Sequence, residues 1–220
     1  KETVAILVDP ADHQNVPRAY KLLRAVISLG AEGIPAPSSL SPTERSTHRA
    51  FALAGEMWKS FLDSFTVPEL SLSQRLESLS KFAHMAFAFY RMHGSSFLSN
   101  QLYGDLQALV KSAFFCVARQ QELDPDQAFY LYQIGSDQLE ELFSEVRTES
   151  HDSNCDALRL SERLSTAADT LGIFGEHPEW HQGHVRRSWS GKEADHVNPT
   201  YFTGDQTVKN VVPAASWHSG

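Results

Sequence analysis

Three carboxylates, Asp137, Glu140 and Glu141, lie within five residues of the segment GSDQLEELFSEVR, residues 135–147. Two chemistries are open to them. Carboxylates three residues apart on one helix face can share a hard cation such as Mg²⁺. They can also be the water-facing side of an ordinary amphipathic helix, where acidic residues in the first turn complement the helix dipole. Ser136 is a suitable N-cap, and Leu139, Leu142, Phe143 and Val146 recur at i, i+3, i+4 and i+7. Asp137, Glu140, Glu141 and Ser144 then fall on the opposite side of that helix. Both readings fit this pattern, and a metal site needs further ligands from elsewhere in the fold.

Other groups able to do chemistry are scattered. His177, His181 and His184 put three imidazoles within eight residues. Histidine is a frequent zinc ligand, but Pro178 and Gly183 disfavour one regular helix, so a polar loop is the expected form. Arg186 and Arg187 beside Trp189 can touch a phosphate and stack on a base, a thin footprint for DNA. His84 is expected in an apolar helix as a hydrogen-bonded or helix-edge side chain, and His93 before Gly94 suits a helix C-terminus. Cys116, in AFFCVA, is expected to pack as a small apolar side chain. No phosphate-binding loop precedes Lys192, and no G-x-S-x-G nucleophile motif is present.

The elements that must position these groups are helical. Apolar spacing of three and four predicts helices near 17–29, 44–65, 73–92, 102–117 and 155–171, besides the acidic one. Pro17 and Ser73 are candidate starts, and Gly30 and Pro68 candidate stops. The stretch 30–43, rich in Gly, Pro and Ser, predicts a loop, and 128–135 a short strand or helical turn. From Gly172 onward no period is sustained. The expected fold is mainly α: a bundle of about five long helices with an irregular C-terminal tail, and short extended pieces at PTYF and TVKNVV.

Bulk properties narrow the function. A net charge of −8 argues against a whole surface built for nucleic acid. Two cysteines form no disulfide framework, which makes a reducing, intracellular compartment the default. No apolar run approaches a membrane span, and no secretory signal is seen. The start at Lys1 suggests a processed product or a fragment.

The segment SDQLEELFSEVR resembles one near the end of the catalytic domain of P-element-type transposases, which have an RNase H-like core. The matching residues are Asp137, Glu140, the Leu142–Phe143 pair and Arg147. Residues 8–29 and FALAGEMWKSFLDSF resemble the helical insertion of that core, and residues 97–143 and the tail resemble transposon-derived fungal proteins. The resemblance implies three regions: an insertion-like part at 1–127, the terminal part of an RNase H-like core at 128–171, and an irregular tail at 172–220. It makes Glu140 the final catalytic acid and metal ligand, and Asp137 an accompanying one. It further implies a nuclear location, and DNA as a partner. The earlier catalytic Asp residues are not found, so the expectation is a relic without strand cleavage on its own and with at most one weakly held Mg²⁺. The other expectation is a plain α-helical protein-interaction domain whose acidic face is merely solvated.

Overall fold

The computed structural model describes residues 16–30, 41–135, 137–148, 156–177 and 202–220. The chain divides into two compact units, residues 1–133 with 197–220, and residues 134–196. The described residues of both are mainly helical, and among them no strand forms beyond one isolated bridge between Ala128 and Thr207.

The first unit is built on helices α1 (Val16–Gly30), α2 (Pro42–Thr66), α3 (Leu72–His93) and α4 (Asn100–Leu123). Their starts are set by serine caps. Ser41 accepts from the Glu44 amide while the Glu44 carboxylate accepts from the Ser41 amide, a capping box reinforced by Pro42 in the first turn. Ser71 and Gln74 form the same box at α3. The cap is therefore Ser71 and not Ser73, because only Ser71 has a Gln or Glu three residues on. Ser99 caps α4. Helix α3 ends at Gly94, whose φ of 56° is a conformation that favours glycine.

These helices pack in chain order, α1 on α2, α2 on α3 and α3 on α4. The α1–α2 contact passes through Gly55, where a Cβ would stand 3.1 Å from the Val26 carbonyl oxygen and 3.3 Å from Ile27 Cα. The core is formed by Met57, Leu72, Leu76, Leu79, Phe82, Val110, Ala113 and Val117, all essentially inaccessible to water. Each large aliphatic or aromatic side chain buried here contributes about 1.5–3 kcal/mol. Phe82 is also the centre of an aromatic cluster, with Phe61 at 4.7 Å and Trp58 at 5.7 Å between ring centroids.

Within the tail expected to be irregular, the described C-terminal residues are held against the helices. Residues 202–220 form a 3₁₀ turn at Val208–Asn210 and a helix, here α7 (Pro213–Ser219), laid against α3 and α4. TVKNVV is thus mostly a turn and not an extended piece; only Thr207 makes a bridge. Residues 128–135 take the helical-turn form, a 3₁₀ turn at Leu131–Ile134, with only an isolated bridge at Ala128. The segment lacks periodicity because backbone bonds to loops hold it. The Leu72 amide donates to Asp205 O (2.8 Å), the Phe129 amide to Gln206 O (2.9 Å) and the Val208 amide to Gln127 O (3.2 Å).

The second unit contains α5 (Asp137–Thr148) and α6 (Ala157–Glu176), which pack on each other, with Val146 and Ala167 buried. Asp156 caps α6 by accepting from the Arg159 amide at 2.8 Å.

Candidate functional site

Pro68 sets up the site. It stands four residues after Ser64 and has no N–H, so the Ser64 carbonyl at the end of α2 has no helical donor. Arg75, in the first turn of α3 and fully buried, supplies one. Its Nη1 donates to Ser64 O at 2.8 Å, its Nη2 to Val67 O at 2.6 Å, and its Nε to Leu70 O at 3.1 Å. A guanidinium has the planar fork of donors that can reach several carbonyls at once, and a helix C-terminus favours its charge. Burial still has a cost, and it pulls the Arg75 guanidinium down to about 10, so the group remains charged at neutral pH.

The same guanidinium ties down the C-terminal segment. Arg75 Nε also donates to Gln206 Oε1 (3.2 Å), and the Phe202 ring lies 4.3 Å from the guanidinium carbon. Gln206 Nε2 donates to Leu70 O and Gly204 O, and the Thr203 and Gly204 amides donate to Pro68 O. At Gly204 a Cβ would fall 2.3 Å from Leu70 O, so only glycine allows this approach. Further along, Gln121 Nε2 donates to the Val208 and Val211 carbonyls.

This latch delivers Trp217 to one face of α3 and α4. Its ring meets His84 at 4.8 Å and Phe114 at 5.4 Å, and its carbonyl accepts from Ser80 Oγ at 2.7 Å. Ser80, His84, Phe87 and Arg91 are spaced i, i+4, i+7 and i+11, so they share that face of α3. Trp217 packs against the first two positions, of which Ser80 is buried and His84 stays exposed. Phe87 is 53% exposed, and Met92 near the helix end is 74% exposed. Beside them Tyr90 and Tyr103 stack at 3.9 Å and join α3 to α4, and Gln107 Nε2 donates to Ala83 O.

The groups singled out in the sequence are placed as follows. Asp137 and Glu140 lie in the first turn of α5, one turn apart; the side chains of 137–141, and residue Ser136, lie outside the described residues. Phe143 and Arg147 are exposed and Leu142 half-buried. His177 is the C-cap of α6, while His181, His184, Arg186, Arg187 and Trp189 lie outside the described residues. Among the described residues no group of three or more His, Cys, Asp and Glu is placed to hold a metal ion. His84 is at a helix edge, 3.3 Å from Ser80 Oγ, and Cys116 is half-buried and free. None of the described helices is long and apolar enough to cross a membrane.

The chain matches no family model, no curated protein and no solved structure. Its chemistry must therefore be argued from these positions.

Arg75, Gln206, Trp217 and Phe87 were not legible as site residues. Pro68 followed by an Arg inside an apolar helical stripe was a usable signal for the latch. Phe87 falls just outside the core stripe of Leu79, Phe82, Ala83, Ala86 and Tyr90, which marks it as an additional apolar face.

Proposed function

We propose that this chain is a helical protein-interaction module, which acts by binding and presents the α3–α4 face as its recognition surface. The observation that carries the reading is the exposed apolar side chain of Phe87, on the α3 face that already receives a helix of the chain itself. A large apolar side chain left in water beside an existing helix-docking surface favours a further partner there. The test is site-specific photo-crosslinking in cells, with a photoreactive phenylalanine analogue at position 87 and, as control, at exposed position 46 on α2. Discrete protein adducts are expected from position 87 only. Equal adduct patterns from both positions, or none from 87, refute the reading.

A second reading follows from the transposase resemblance, and it is favoured by one observation: residues 137–148 form a single helix, which spaces Asp137 and Glu140 one turn apart. In that reading the chain is a transposase relic that associates with DNA. Two carboxylates on one turn supply only part of a Mg²⁺ shell, and a two-ion clamp for phosphodiester chemistry needs ligands from other elements. Strand cleavage by the chain alone is accordingly not part of the reading.

A further inference from the structure

Helix α4 turns an apolar surface away from the core. Its buried residues Val110, Ala113 and Val117 lie on one side. At about 100° per residue, an arc of roughly 120° centred on Ser112 lies clear of them and carries Ala108, Leu109, Phe115, Cys116 and Leu123. None of the five is buried, and Phe115 is 73% and Leu123 65% exposed. Ala108 and Leu109 are repeated seven residues on by Phe115 and Cys116, the interval at which one helix meets another along its length. The charged residues on this arc are Asp105 and Arg119, both exposed and each seven residues from Ser112. Arg119 also holds Glu122 of its own helix through Nη1 at 3.3 Å, but a guanidinium has five N–H donors, and Glu122 stands at the flank, outside the arc.

We propose that α4 is the seat of a two-fold homodimer, in which the Ser112-centred arc of one copy packs antiparallel on the same arc of a second. The face selects its own copy because it is its own complement. A two-fold axis through Ser112 sets Leu109 against the partner's Phe115, Ala108 against the partner's Cys116, and Asp105 against the partner's Arg119. Both carboxylates then meet guanidiniums, whereas a parallel pairing sets acid on acid and cation on cation. The contact runs from Gln101 to Leu123, about 33 Å at 1.5 Å per residue and most of the length of α4. Small side chains at its centre, Ala108 and Ser112, let the two helix axes approach closely. The dimer is independent of the partner proposed at Phe87, which lies on α3.

Sedimentation equilibrium of the full chain is expected to show a reversible monomer–dimer step with Kd on the order of micromolar. Arg119→Asp sets carboxylates against each other and should raise Kd at least about tenfold. Asp105→Arg combined with Arg119→Asp restores opposite charges and should bring Kd back. Both positions are exposed, so the fold, followed by circular dichroism, is expected to persist. Crosslinking gives the register. Ser112→Cys, in a chain that also carries Cys116→Ser and Cys155→Ser, should form a covalent dimer with a short bismaleimide, because the two copies of position 112 lie on the axis. Asp105→Cys in the same background should not, since its two copies stand about 21 Å apart along the helices. A chain that stays monomeric up to about 1 mM, a dimer indifferent to Arg119→Asp, a double variant as weak as the single one, or crosslinking at 105 and none at 112 overturns the proposal.

Discussion

Replacing Arg75 by Met tests whether a buried guanidinium latches the C-terminal segment to the helical layer. Met keeps the apolar stem and removes the fork. The bonds to Ser64 O (2.8 Å) and Val67 O (2.6 Å) are charge-assisted and contribute about 1.5–3 kcal/mol each. Against that gross sum stands the cost of burying the charge, visible in the lowering of its pKa to about 10. The unmet carbonyls decide the balance: Ser64 O has no alternative donor because residue 68 is proline. The net loss is therefore about 3 kcal/mol, a large fraction of the 5–15 kcal/mol typical of a domain. At about 2–4 °C per kcal/mol for a chain of this size, Tm should fall by roughly 6–12 °C. Thermal unfolding followed by circular dichroism gives the shift. Hydrogen exchange gives its location, since the Leu72 and Gly204 amides, bonded to Asp205 O and Pro68 O, should exchange faster than those in the middle of α4. Arg75→Lys retains charge but reaches fewer carbonyls, and it should lose most of the same stability. A Tm within 2 °C of wild type for Arg75→Met, or full rescue by Lys, would show that the fork does not hold this junction.

Three other outcomes are expected. Gly204→Ala forces a Cβ to 2.3 Å from Leu70 O, a backbone clash, and should cost about 2 kcal/mol or more and loosen residues 202–206; unchanged exchange there counts against the close approach. Hydrogen bonds from the Ser41 amide and hydroxyl hold the Glu44 carboxyl below its usual 4.5, so the capping box contributes above the unfolded-chain value and is lost as pH falls through the lower folded one. The Ser41 and Glu44 amide shifts should titrate together below pH 4.5, and Ser41→Ala should abolish that coupling. On the transposase reading, millimolar Mg²⁺ should shift the amides of residues 137–141, and an unchanged spectrum refutes an ion site there.

The helices were largely written in the sequence. The start at Pro17, the stop at Pro68, and the apolar recurrence through Leu76, Leu79, Phe82 and Ala86 depend on local propensity and period, which short stretches encode. The acidic helix was legible for the same reason, and its ambiguity was legible too, because a solvated face and a metal face have one pattern. The latch was not legible. Arg75 and Gln206 stand 131 positions apart, and neither carries a local signal of its partner. Trp217 lies in a segment without a period, held by backbone bonds to loops. Amphipathic spacing fixes which residues of a helix are buried together. Which distant segment covers that helix, and which apolar side chains it leaves to water at Phe87 and Met92, is decided only when carbonyls orphaned by a proline and a fork of buried donors meet in three dimensions.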